Sequence, residues 1–208
     1  MRIVVGLSGA SGTVYGQRLV QRLAEADCDV ILTMSRSLEK LFPAELGMPC
    51  DCSEPDLAAL FGAAAVPRIS YRLPENIAAD VASGTFRVDG TVICPASTGL
   101  LGRVSVGASS NLLERVCDVA LKERRTLILV PRETPLSTIH IEAMLRLSQA
   151  GATILPASPG WYHRPTSLDD LVEFVVQKVF DRLGIERDLI RRWGGSASPS
   201  GAPSDSKT

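Results

Sequence analysis

Four short clusters in this chain join small, hydroxyl-bearing and charged residues in ways that suit an anionic ligand. The first, Gly9-Ala10-Ser11-Gly12, closes an apolar, β-branched run. Glycines there let the backbone approach a ligand, and N–H groups opening a following helix attract phosphate. The cluster has neither the GxGxxG spacing of a dinucleotide site nor the lysine of a P-loop, so taken alone it also suits a plain strand-to-helix turn. The second is Ser35, directly after another apolar run, where a serine is either a ligand contact or a helix N-cap. The third, Cys94-Pro95-Ala96-Ser97-Thr98-Gly99, again sets hydroxyls and a glycine behind an apolar run. In the fourth, Pro131-Arg132-Glu133-Thr134-Pro135, a charged pair sits between two prolines that fix the backbone presenting it.

Cations supply a further pattern. Arg115 and Lys122 are seven residues apart and share one helical face, with Asp118 between them. The stripe either holds a phosphate or is a solvated surface with an Asp118–Lys122 ion pair. Between Pro156 and Pro165, the run Trp161-Tyr162-His163-Arg164 concentrates aromatic and basic groups in a chain that is only 5% aromatic. It reads as a hydrophobic plug or as a wall for a planar ring or an allyl chain. Five cysteines (Cys28, Cys50, Cys52, Cys94, Cys117) and two histidines (His140, His163) show neither a disulfide framework nor metal-ligand spacing. Free thiols and no metal are expected.

The elements that must position these groups alternate. Apolar runs at 3–7, 30–34, 90–94, 126–130 and 152–155 read as buried strands. Amphipathic stretches after Gly12 and Ser35, and near 110–124, 138–149 and 168–183, read as helices. Near-continuous apolar strands alternating with helices indicate an α/β, three-layer Rossmann-like fold, a parallel sheet flanked by helices. Ligands in such a sheet bind outside the carboxyl ends of the strands, where the four clusters fall. Residues 50–84 are rich in Ala and Pro with weak periodicity. Residues 1–193 are expected to form one domain, and 194–208, mostly Gly, Ser, Ala, Pro and Asp, a disordered tail.

The chain has 208 residues, 45% of them hydrophobic, enough for one sizeable core. A net charge of −1 excludes the broad basic surface that nucleic acid or an anionic membrane would attract, so anion binding must be local. No apolar run is long enough to span a bilayer, and the N-terminus lacks a signal-peptide layout; the expected location is cytoplasmic.

Taken in order, the clusters resemble the UbiX-type flavin prenyltransferase family. The resemblance is carried by the Gly9–Gly12 loop, Cys94–Gly99, the run 111–125, Val130–Pro135, Ile139–Met144 and Pro159-Gly160-Trp161-Tyr162. It runs from residue 1 to about Trp193 and is weakest over 50–84. It implies transfer of a dimethylallyl group from dimethylallyl phosphate to N5 and C6 of reduced FMN, in a homododecamer with FMN at a subunit interface. The product would serve UbiD-type decarboxylases. FMN contacts would fall on Gly9, Ala10, Ser11, Ser35, Ser97, Thr98, Gly99, Leu100 and Arg132. Arg115, Lys122, Tyr162 and Lys178 would hold the prenyl phosphate, and Trp193 would close over the site. Glu45, Glu133 and Lys122 would be catalytic, the first two beside the reacting groups.

Lys178 stands where the family usually has arginine, Ala96 where it has the second Cys of a Cys-Pro-Cys-Ser turn, and Ile77 near a position that is often aromatic. The flavin-lining stretch here reads Leu100-Leu101-Gly102-Arg103. Two other functions fit the same scaffold: an FMN-dependent cysteine decarboxylase and a non-catalytic flavin carrier. The first relies on an early histidine and a Pro-x-Met-Asn motif, both absent here. A simple carrier would not need the cationic set.

Overall fold

The structure, a computed structural model, describes residues 1–192; the expected tail, and with it Trp193, lies outside the described residues. Six strands form one all-parallel sheet. They are β1 (Arg2–Leu7), β2 (Asp29–Met34), β3 (Ile69–Tyr71), β4 (Gly90–Ala96), β5 (Leu127–Pro131) and β6 (Thr153–Ile154), in the order β3-β2-β1-β4-β5-β6. Seven α-helices accompany them among the described residues: α1 (Thr13–Glu25), α2 (Leu38–Leu46), α3 (Leu57–Phe61), α4 (Thr98–Ser105), α5 (Leu112–Lys122), α6 (Thr138–Gln149) and α7 (Leu168–Leu183).

Strand residues alternate between two buried clusters. Ile3, Val5 and Leu7 point into one with α1, α2, α3 and α7. Val4, Ile31, Ile93 and Leu129 point into the other with α4, α5 and α6. Both sheet faces are therefore covered, which is why the strands read as continuous apolar runs. Buried Glu173 on α7 accepts hydrogen bonds from Arg18 (2.6 Å) and Arg22 (2.6 and 2.9 Å), clamping α7 to α1. Gly16 lets α1 lie directly on β4, since a Cβ there would stand 2.4 Å from the Cys94 carbonyl oxygen.

The expected architecture is present, with differences in detail. β4 runs two residues further, to Ala96, and β6 is only Thr153–Ile154. The weakly patterned stretch 50–84 contains α3 and β3; β3 is a three-residue edge strand, too short to show alternation. Strand order reverses between β1 and β4, so a crevice opens at their carboxyl ends.

Candidate functional site

The crevice is built from the small and hydroxyl residues that follow β1, β2 and β4. Ser8 stitches two of these loops together: its hydroxyl donates to the Pro95 carbonyl (2.9 Å) and accepts from the Ser97 N–H (2.7 Å). Ser97 then caps α4 by accepting from Leu100 N–H at 3.3 Å, which sets Thr98, Gly99 and Leu100 in its first turn. After β2, the hydroxyls of Ser35 and Ser37 meet at 2.7 Å. Ser35 is not the N-cap of α2; that place belongs to Ser37, whose side chain makes no cap hydrogen bond.

Ser8, Gly9, Ser35, Ser37, Ser97 and Arg103 line a cavity of about 200 Å³, with Leu100 and Leu113 as its apolar part. A Cβ on Gly9 would stand 2.2 Å from Ser37 Oγ and 3.8 Å from Ser35 Oγ, so the backbone there is held open against the hydroxyls. Serine hydroxyls and a guanidinium suit an anion, and the leucines suit a planar ring; these donors fit a flavin nucleotide.

The N-terminus of α1 does not offer itself to phosphate. Glu45, at the end of α2, accepts from Gly12 N–H (2.9 Å), Thr13 N–H (2.9 Å) and Thr13 Oγ1 (2.8 Å). The positive end of a helix attracts any nearby anion, and here the chain supplies its own. Burial alone would raise the pKa of Glu45, but the Thr13 and Gly12 amides and the Thr13 hydroxyl bring it below the ordinary carboxylate range. Ala10 is buried and donates its N–H to the Ser8 carbonyl at 2.8 Å. From the end of β5, Arg132 Nε donates to the Ser11 carbonyl at 2.9 Å, so the two loops touch. Glu133 accepts from Thr134 N–H at 3.1 Å.

The cationic set is divided. Arg115 lies on the outward stripe of α5, where it pairs with Asp118 at 2.6 Å and donates from Nε to the Ala82 carbonyl at 3.2 Å. Lys122 pairs with Glu123; the expected Asp118–Lys122 pair does not form, because the shorter i,i+3 reach gives Asp118 to Arg115. Lys178 and Tyr162 line a different cavity of about 240 Å³ with Gln177 and Ile190. Lys178 Nζ lies 5.5 Å from the centre of the Phe174 ring, which Tyr162 meets edge-on at 5.6 Å. Since α5 and α7 cover opposite faces of the sheet, one chain does not bring Arg115 and Lys122 to Tyr162 and Lys178.

One residue escaped the sequence reading. Glu114, fully buried, accepts from Arg103 Nε (2.5 Å), Ser110 N–H and Oγ (both 2.7 Å) and Asn111 Nδ2 (2.8 Å). Asn111 in turn accepts from Glu114 N–H. The signal was present: Asn111-Leu112-Leu113-Glu114 has the spacing of a capping box. Burial would raise the Glu114 pKa, but its bonds to Arg103 and Ser110 bring it below the ordinary range. All five cysteines are free. Burial pushes the Cys94 and Cys117 thiols up, as befits packing groups.

A family model described as Flavoprotein matches residues 1–180. A flavin prenyltransferase UbiX of Halalkalibacterium halodurans is 46% identical over 190 residues, covering 91% of this chain and 92% of that protein. A dodecameric FMN-dependent UbiX-like decarboxylase from Escherichia coli O157:H7 superposes with a TM-score of 0.82 at 36% identity, covering 94% of this chain and all (100%) of that one. AnUbiX (PadA1), solved with FMN and dimethylallyl pyrophosphate, gives 0.83 at 32% identity, with 94% and 98% covered.

Proposed function

The chain belongs to the Flavoprotein family and is a flavin prenyltransferase, and we propose that it joins FMN to the dimethylallyl group of dimethylallyl phosphate. Bound and reduced, FMN supplies a nucleophilic N5, with C6 as the second point of attachment. Gly9, Ala10, Ser11 and Ser35 hold the flavin from the β1 and β2 ends. Ser97, the α4 turn from Thr98 to Leu100, and Arg132 hold it from the β4 and β5 ends. The observation that carries the reading is the cavity at the switch point, where hydroxyls crowd a glycine with no room for a Cβ.

Arg115, Lys122 and Lys178 take up the negative charge that develops on the departing phosphate, and the Tyr162 hydroxyl donates to it. Lysine at 178 keeps the charge and loses the fork that an arginine would offer. Because α5 and α7 lie on opposite faces of the sheet, this set closes only where α5 of one copy meets α7 of another. We therefore propose a homo-oligomer with shared sites; the Escherichia coli relative is a dodecamer. Glu133 and Glu45 are the proposed proton carriers, and Glu45 can act only by giving up its bonds to the start of α1. A UbiD-type decarboxylase is the proposed user of the product.

Anaerobic incubation of the purified chain with reduced FMN and dimethylallyl phosphate tests this, with mass spectrometry of the flavin. A flavin heavier by one isoprenyl unit is expected. An unmodified flavin, with FMN bound and the diphosphate also tried, would overturn the reading.

A further inference from the structure

The switch-point cavity holds a cation that is not among the proposed FMN contacts. Arg103, near the end of α4, lines it beside Ser97 and Leu100. Its Nε donates to Glu114, whose side chain is 0% exposed while that of Arg103 is 51% exposed. The two terminal amino groups of Arg103 make no hydrogen bond among the described residues. Nη1 lies 3.4 Å from the place a Cβ on Gly99 would occupy, so the guanidinium lies over the exposed first turn of α4. A permanent charge is thus anchored from behind by a buried carboxylate, with its fork left open.

We propose that Arg103 is a flavin-contacting residue whose free amino groups meet the negatively charged edge of the reduced ring, with Glu114 as its positioning residue. The inference rests on the flavin occupying this cavity. Leu100 and Leu113 line the same space and offer a wall to a ring, not to a phosphate. Two-electron reduction leaves the ring anionic near neutral pH, and charge placed beside it tunes its electronics. The Arg103–Glu114 pair is formally neutral. The carboxylate lies behind the guanidinium and shares its charge with Ser110 and Asn111, so the end facing the cavity is positive. Arginine cannot deprotonate, and its anchored fork loses little freedom on binding. The arrangement selects reduced over oxidised flavin.

The phosphate of FMN carries the same charge in both redox states, so the ratio of the two affinities isolates the ring. The experiment is anaerobic titration of the full chain with oxidised and with reduced FMN, together with the potential of the bound flavin. Arg103→Gln, whose amide can still donate to Glu114, should bind reduced FMN about tenfold more weakly and oxidised FMN less than about threefold more weakly. Its bound flavin should become harder to reduce. Arg103→Lys keeps a cation for Glu114 and the fold, loses the open fork, and should shift the ratio in the same direction. Equal losses in the two redox states would assign Arg103 to the phosphate and overturn the proposal, as would an unchanged ratio. A wild-type chain that binds neither form would overturn the proposed function itself, and this inference with it.

Discussion

Replacing Glu114 by glutamine tests the physical account of the buried carboxylate most directly. The carboxylate receives two donors on each oxygen: Arg103 Nε and Asn111 Nδ2 on Oε1, Ser110 N–H and Oγ on Oε2. A glutamine can keep its oxygen toward Arg103 and Asn111. Its amide nitrogen then faces Ser110, whose hydroxyl can turn to accept but whose N–H cannot. The Ser110 N–H loses its acceptor, and the Arg103 bond loses its charged acceptor. Together these cost about 3 kcal/mol. For a chain of this length that lowers the melting temperature by about 6–12 °C.

The pH dependence follows from the lowered pKa of Glu114. A depressed carboxyl contributes stability that is fully present above its unfolded value, about 4.3, and lost as pH falls through the folded value. The gap between wild type and Glu114→Gln should therefore be constant from neutral pH down to about 5 and close below about 4. Melts followed by circular dichroism across that range read both quantities. A variant that melts within about 1 °C of wild type at neutral pH would refute the reasoning, and so would a gap that widens on acidification.

Three other substitutions bear on the site. Glu45→Gln removes the charge at the start of α1; since Glu45 is exposed, screening limits the loss to about 1 kcal/mol at low salt. It should shrink at high salt in denaturant titrations. Gly9→Ala puts a Cβ where Ser37 Oγ stands, so FMN affinity measured by fluorescence titration should fall about tenfold. Arg115→Ala should weaken dimethylallyl phosphate binding about tenfold in calorimetric titrations and leave FMN binding intact; equal loss of both ligands would misplace Arg115.

Much of the fold is legible in the residues. The run Ile3–Leu7, the amphipathic stretches that became α1, α5, α6 and α7, and the small residues behind each strand all follow from burial on two faces of a parallel sheet. Other features carry weaker signals. Gly99 and Gly102 lower the helix propensity of α4, so a helix there reads as a loop. β3 borrows its pairing from β2 and has no pattern of its own. The site is legible as a set of motifs and not as a geometry. That Glu45 turns to the start of α1 depends on tertiary placement that spacing does not encode. The same holds for Arg115 and Lys178, whose relation depends on which face of the sheet each helix covers.

That last separation has a genetic consequence. With the sheet standing between Arg115 on α5 and Tyr162 and Lys178 beside α7, a proposed site shared between copies is divisible. A chain inactivated at Arg115 and another inactivated at Tyr162 each still carry the half the other has lost. When both are made in one cell, some interfaces draw α5 from one parent and α7 from the other. Two silent alleles then restore prenyl transfer between them, and a single damaged allele expressed beside a sound one poisons sites it does not own.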